Sequence, residues 1–362
     1  MGDAPLVDAV IAVHDASRPI ARAVDSLTTS GLSLSTGGEL RITVVCHNLP
    51  VDEIRSVLPD RLSSVVRFIG LRDGIASAAG PFTAGIDAAT GGYVSIMGSD
   101  DYLEGGALAA WLEHAHDGAV DAVIAPQVHA GGSKVRTPPV RPLRRGDLDP
   151  VKDRLAYRTA PLGLISRRAI ERLGLAFPAG LRTGEDQSFS AKLWFGGGAI
   201  RFAAKAPRYV VGADAATRIS LTRRALAEDL AFVDQLIDDP WFATLSPRAR
   251  CAIAIKVVRI HVFDGVLARA NDETWSPDDH VYASALVERL RLTARGFERP
   301  LSIADRKALD AIVDVNSSQA LIAGRLRARR RFGRPETLVT RELSGLLAVE
   351  GPVRFMTASA LL

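Results

Sequence analysis

Two periodicities alternate through the first two hundred residues, and that alternation limits what the chain can fold into more than any other feature. Short β-branched apolar runs, LVDAVIAV at 6–13, RITVVC at 41–46 and SVVRFI at 64–69, are separated by ARAVDSL and VDEIRSVL, which have helical spacing. Apolar runs of this length suit strands, and the helices between them cover both faces of a sheet. Strands alternating with helices predict parallel pairing in an α/β sheet. The pattern continues with a helix over FTAGIDAAT (82–90), a strand over GYVSIMG (92–98), a helix over ALAAWLEHAH (107–116) and a strand over VDAVIAP (120–126).

Residues 130–158 are rich in Gly, Pro and Arg without a sustained period and read as a long loop, a length that in compact domains often serves function. After it come a strand at LGLIS (162–166), a helix at RRAIERLG, a turn at LAFPAGLRTG and a helix opening at Glu185. A glycine turn leads into a strand in FGGGAIRFAA (195–204), and RYVVG (208–212) is one more. From about Ser220 the strand signals stop. Leu226, Leu230, Val233 and Ile237, then Ile253, Val257, Ile260, Phe263 and Leu267, then Leu286 and Leu290, fall at helical spacing. The expected organisation is an α/β domain over 1–220 and a separate all-helical region over 221–362.

Composition excludes several classes. With 47 % apolar and 24 % charged residues, the chain is neither disordered nor fibrous. Its 45 basic and 41 acidic residues leave a net charge of only +4, a weak footprint for nucleic acid. Cys46 and Cys251 form no CxxC pair, which argues against a disulfide framework or a thiolate zinc site and suits a reducing compartment. The first fifteen residues have no basic leader, and no apolar run approaches the ~18 residues of a membrane span. A soluble cytoplasmic protein is expected.

Two acidic pairs carry the chemistry. Asp100-Asp101 directly follow the apolar strand ending at Gly98, and ligands of α/β sheets gather at the carboxyl ends of strands. Adjacent carboxylates repel unless solvated or metal-bound, and hard oxygen ligands suit Mg²⁺ or Mn²⁺. The competing explanation is a helix cap ahead of ALAAWL. Glu185-Asp186 open a later helix, where acids also complement the helix dipole without any function.

Taken in order along the chain, these segments resemble the family 2 glycosyltransferases of the GT-A fold. The resemblance is carried by IAVHDASRPIARAVDSL, by AGIDAATGGYVSIMGSDDYLEGGAL with its DXD-type acids, and by APLGLISRRAIERLGLAFPAGLRTGEDQSFSAKLW with its Glu-Asp pair, spanning about residues 6–220. It implies a Rossmann-like mixed sheet with helices on both faces and inverting transfer of a sugar from a nucleoside-diphosphate sugar to an acceptor hydroxyl. It implies that Asp101 holds Mn²⁺ or Mg²⁺ on the diphosphate, with Asp100 helping on the metal or the donor ribose. The metal would neutralise charge on the leaving group. Asp186 would be the general base on the acceptor, oriented by Glu185, and Asp15 would mark the donor end of the first strand.

Departures from the family pattern are equally specific. Gly98 replaces the acid that often opens the fuller motif, and Cys46-His47-Asn48 replace its Asp-Asp-Gly-Ser-like base-contacting segment. His47 or Asn48 is the candidate for that contact. Gly80-Pro81-Phe82-Thr83 replace an Ala-Arg-Asn run, and Arg72 and Asp73 are candidates for the lost charge. Arg218 follows the last strand, where a planar guanidinium suits phosphate oxygens.

Other features have simpler explanations. His114 and His116, two apart on a helix, point to different faces and suit no common metal, and glycines 196–198 lack dinucleotide-binding spacing. Arg136, Arg141, Arg144 and Arg145 would meet a phosphorylated acceptor or simply be solvated. Six arginines in RLRARRRFGR (325–334) would face an anionic membrane or be a solvated helix face. Nucleic acid is disfavoured there because no aromatic stacking platform accompanies them. The leading expectation is a cytoplasmic transferase, peripheral at the inner face of a membrane, acting on a glycan or lipid-linked acceptor in cell-envelope or polysaccharide synthesis. A homo-oligomer through the helical region is left open. Its rivals are a catalytically impaired sugar-nucleotide-binding protein of the same fold and a helical module binding lipid or nucleic acid.

Overall fold

The structure is a computed structural model and describes all residues except 1–3, 35–37, 116–118, 134, 136–140, 142–145, 213–223, 273 and 362. Two compact units are present. The first holds residues 1–135, 145–148 and 159–221; the second holds 136–144, 149–158 and 222–362.

The first unit is built on strands β1 (Val7–Val13), β2 (Leu40–His47), β3 (Val66–Leu71), β4 (Tyr93–Gly98), β5 (Tyr102–Leu103), β6 (Val120–Ile124), β7 (Gln127–His129), β8 (Gly163–Ser166), β9 (Ala199–Phe202) and β10 (Tyr209–Val211). Seven of them form one sheet in the order β3-β2-β1-β4-β8-β6-β9, and β5-β10-β7 form a second. β1, β2 and β6 are buried along almost their whole length, as their continuous apolar sequence requires. One strand departs from the parallel pairing of its neighbours: β8 runs antiparallel to both β4 and β6, as the mixed sheet implied by the resemblance requires. The sheet is therefore mixed.

The chain builds outward from β1 through β2 to β3, then returns to lay β4 on the other side of β1. That reversal makes a topological switch point, and the crevice outside the carboxyl ends of β1 and β4 is where such sheets take ligands. Register brings the site residues together there, since Ala12 pairs with Gly98 and Val13 with Cys46. The helix Ile20–Thr28 covers one face with Ile20, Ala23, Val24 and Leu27, which recur at helical spacing and are all buried. On the helix Ala79–Asp87, Gly85 lies where a side chain would run into the methyls of Val10. At the opposite strand end, buried Asp8 accepts from Arg41 at 2.5 and 2.8 Å and from the amides of Thr90 and Gly91 at 2.9 and 2.7 Å. The charge is fully paired, as a buried carboxylate must be.

The second unit is helical from Leu226 onward. The helix Pro277–Thr293 opens with a capping box between Ser276 and Asp279. One periodic stripe departs from expectation. Residues 257–262 form a π-helical turn, so Val258 and Val262 are buried and Ile260 is 43 % exposed. The wider turn rotates the following residues off the α-helical stripe.

The long loop 130–158 carries local order among its described residues. Leu155–Tyr157 form a 3₁₀ turn, and 149–158 belong to the second unit. There Asp153 receives Arg141 at two 2.8 Å contacts, and the Tyr157 hydroxyl donates to Glu350 at 3.1 Å. Arg259 reaches the same carboxylate at 3.3 Å, and Arg154 lies over the ring of Phe355. Arg136, Arg144 and Arg145 lie outside the described residues. The arginine run is half structural. Arg327 donates to Asn271, Arg329 to Asp305 while stacking on Phe263, and Arg330 to Asp264, whereas Arg325, Arg331 and Arg334 are exposed.

Candidate functional site

A cavity of about 570 Å³ opens at the carboxyl ends of β1, β2 and β4. Its wall includes His14, Arg18, His47, Asn48, Phe82, Asp100, Asp101, Arg182, Glu185 and Gly212. Segments far apart in sequence meet here because each follows a strand end or opens a helix.

The two acids after β4 have different surroundings. Asp101 is tied down on both oxygens: the Tyr209 hydroxyl donates to Oδ2 at 2.6 Å and the Gly212 amide to Oδ1 at 2.8 Å. Burial raises its pKa above the ordinary carboxylate range, opposed by those two hydrogen bonds. Asp100 faces Arg18, whose Nη1 lies 2.9 Å from Oδ2, with both side chains more than four-fifths buried. Arg22, one helical turn on, donates to the Asp100 main-chain carbonyl and lies 4.9 Å from the Tyr102 ring centroid. Gly98 is bare for a steric reason. A Cβ there would meet Asp101 Oδ2 at 2.8 Å and Asp100 Oδ1 at 3.2 Å.

The segment after β2 is a latch between loops. Asn48 has φ of 59°, a left-handed conformation that asparagine tolerates. Its Oδ1 accepts the amides of Asp73 and Gly74 at 3.1 and 2.9 Å, and its Nδ2 lies 3.3 Å from Asp73 Oδ1. His47, 4 % exposed, contacts the same carboxylate through Nε2 at 2.8 Å. The Ile75 amide and His47 hold the Asp73 carboxyl below its usual range. Asp73 therefore organises the loop from outside the cavity wall, and Arg72 is exposed and likewise not on it.

On the opposite wall, Glu185 opens the helix Glu185–Phe195 after Gly184 at φ 76°. Burial pushes the Glu185 carboxyl above its usual range. Phe189, on the same helix, stacks on Phe177 with centroids 4.4 Å apart, and Phe177 in turn packs on the cavity residue Phe82 at 5.6 Å. Asp186 is half-buried beside Glu185, contacts the Gln187 amide at 3.2 Å and is not part of the wall. Asp15 is also off the wall. Its Oδ1 accepts the Ser17 amide at 2.8 Å, shaping the turn that presents Arg18. Arg218 lies outside the described residues.

Sequence reasoning missed Arg18, Arg182, His14 and Tyr209. The signal for the first three was position alone: His14 and Arg18 follow the end of β1, and Arg182 lies three residues before Glu185. Nothing in the sequence pointed Tyr209 at Asp101. Among the described residues, no group of three His, Cys, Asp or Glu side chains converges as a metal site. None of the described helices is long and apolar enough to cross a membrane.

The mixed sheet, the acids beyond the switch-point strand and the helical region that follows define a GT-A fold, as comparison with solved structures bears out. A 1–349 fragment of S. aureus TarS in complex with UDP-GlcNAc superposes with a TM-score of 0.70 at 13 % identity, covering 91 % of this chain and 93 % of that one. The same fragment with UDP gives 0.69 at 13 % identity over 91 % and 93 %. Longer TarS gives 0.69 at 11 % identity, covering 87 % of this chain but only 54 % of TarS, so the chain spans about half of that protein. No curated protein shows significant sequence similarity to the chain. Residues 8–174, a little under half of the chain, match the profile of glycosyl transferase family 2.

Proposed function

We propose that the chain is a glycosyltransferase that takes its sugar from a nucleoside-diphosphate donor and passes it with inversion to an acceptor hydroxyl. The observation that carries the reading is one cavity joining Asp100 and Arg18 on the switch-point side to Arg182 and Glu185 on the other. Guanidinium groups suit a diphosphate, and a carboxylate pair beyond them suits proton removal from an acceptor. The fold it shares with TarS, solved with UDP-GlcNAc and with UDP, supports a nucleotide sugar as the donor.

The acid pair at the end of β4 divides its work differently from the sequence expectation. Asp101 has both oxygens engaged by Tyr209 and Gly212, so it anchors β4 to β10 and is not the leading metal ligand. Asp100 is the carboxylate available to a cation. One carboxylate together with substrate phosphates is a common way to hold Mg²⁺, and the residues fit a cation of this kind carried in with the diphosphate. When bound, Mg²⁺ or Mn²⁺ would neutralise charge on the departing diphosphate.

This chain's own residues do the rest. Arg182 offers a guanidinium to the donor, His14 and the His47-Asn48 latch bound the end of the cavity for the nucleoside, and Glu185 faces the donor from the acceptor side. Asp186, half-buried beside it, takes the acceptor proton as general base. A single base suffices for inversion because no covalent intermediate has to form. The acceptor is a glycan or lipid-linked glycan, and exposed Arg325, Arg331 and Arg334 hold the protein to an anionic membrane surface.

A screen of nucleotide sugars by thermal shift, with and without Mn²⁺, tests the reading. A donor at a hundred times its Kd adds about 2.7 kcal/mol of stability. Stabilisation by one nucleotide sugar, followed by its hydrolysis or transfer, is the expected result. No shift with any of them would count against it.

A further inference from the structure

The pairing of Arg18 with Asp100 has a consequence for how the site loads. Arg18 Nη1 sits 2.9 Å from Oδ2 of Asp100, and the two side chains are 12 % and 16 % exposed. Arg22 secures the Asp100 main chain from the same helix, so the carboxylate is presented to Arg18 by a fixed backbone. The Asp15 turn in front of that helix fixes the other end, with the Arg18 amide donating to the Asp15 carbonyl at 3.2 Å.

We propose that Arg18 is the resident counter-cation of Asp100 and that arrival of a nucleoside diphosphate exchanges it: the guanidinium passes to the diphosphate oxygens and a divalent cation takes its place on Asp100. This rests on the donor reading of the cavity. The reason is electrostatic. A guanidinium and a divalent cation on one carboxylate repel each other in a site largely shielded from water. A diphosphate brings enough negative charge to hold both. Metal and diphosphate therefore bind with positive coupling, which must be reciprocal, and Mn²⁺ alone is held poorly. Arg18 is on this account a positioning residue for the cation and a ligand of the diphosphate.

The test is titration of Mn²⁺, followed by electron paramagnetic resonance, into wild type and Arg18→Gln, without nucleotide and with saturating UDP. Wild type should bind Mn²⁺ at least tenfold more tightly with UDP than without. Arg18→Gln should bind Mn²⁺ alone at least tenfold more tightly than wild type does, with the UDP effect reduced. Calorimetry in EDTA should show the same variant binding UDP more weakly. Arg18→Lys keeps the charge and should exclude free Mn²⁺ as wild type does. Arg18→Met, with a similar apolar stem, replaces the Gln variant if that one does not fold. Affinity for Mn²⁺ alone that is unchanged or weaker in the neutral variant overturns the proposal, as does tightening in the Lys variant. If no nucleoside diphosphate binds wild type, the donor reading fails, while the comparison in Mn²⁺ alone still decides the role of Arg18.

Discussion

Tyr209 donates its hydroxyl to Oδ2 of Asp101 at 2.6 Å while accepting the Gly98 amide at 3.3 Å, so one phenol joins the central strand of the small sheet to the end of β4. Tyr209 is fully buried, and its own pKa is pushed up by that burial and by the Asp101 charge.

Replacing Tyr209 by Phe leaves Asp101 buried with one partner fewer, which costs about 1–3 kcal/mol. The pH dependence has a definite sign. Burial already raises the Asp101 pKa, and losing the hydroxyl raises it further. A carboxyl with a raised folded pKa contributes stability below its unfolded value of about 3.9 and loses it as pH rises through the folded value. Thermal melts should show a wider gap between wild type and Tyr209→Phe at pH 7 than at pH 4. An equal gap at both would mean that Asp101 is neutral throughout.

Restoring an acid at position 98 should weaken the site. The new Cβ would stand 2.8 Å from Asp101 Oδ2, an atom pinned by Tyr209 and unable to yield cheaply. Gly98→Asp is expected to lose about 1–3 kcal/mol of stability and to bind Mn²⁺ with UDP no better than wild type. Tighter Mn²⁺ binding without a drop in melting temperature would show that the crowding is tolerated.

Asp186→Asn separates base from ligand. A lost general base should lower kcat by ~10²–10⁴-fold with donor affinity nearly unchanged. Glu185→Gln, on the cavity wall, should raise the donor KM and lower kcat less. Because burial raises the Glu185 pKa, its share of donor binding should change at a higher pH than for an exposed glutamate and be absent from the pH profile of Glu185→Gln. If the larger kcat loss falls on Glu185→Gln, the two roles are exchanged.

The His47–Asp73 contact should matter at neutral pH and fade in acid. Asp73 has a depressed pKa, so its contribution is present above about 3.9 and is lost as pH falls through the folded value. Its partial exposure keeps the effect small, under about 1 kcal/mol. Melts of Asp73→Asn and wild type should differ at pH 7, and the difference should shrink as pH falls below about 3.9. Convergence at every pH would leave Asn48 as the sole latch.

The strands were legible because their faces are buried: β1, β2, β4, β6 and β8 each announced themselves as apolar runs. The direction of β8 was not, since reversing a short buried strand leaves its composition unchanged. Ile260 was misread for a local reason, the π-helical turn, which no side chain in 257–262 advertises. Both acid pairs stood out in the sequence, but the partners that the fold gives Asp100 and Asp101 did not. Only the fold could show that Tyr209, 108 residues away, would occupy Asp101 and leave Asp100 to Arg18. Asn48 was singled out by its place after β2 and Asp73 as a source of lost charge; the hydrogen bonds that tie their two loops together, with Asn48 on the cavity wall and Asp73 off it, could be seen only in the fold.

The short segment 149–158 also sets an order of events during synthesis. Its Tyr157 hydrogen-bonds to Glu350, 193 residues later. At ~5–20 residues per second, the ribosome needs roughly 10–40 s to supply that partner. For that interval β6, β7 and β8 are already made, while the piece of chain between them still awaits the helices that will bury it. Arg154 and Tyr157 therefore stay hydrated until the last hundred residues emerge, and a ribosome stalled before residue 350 should display them to a protease that cuts after arginine.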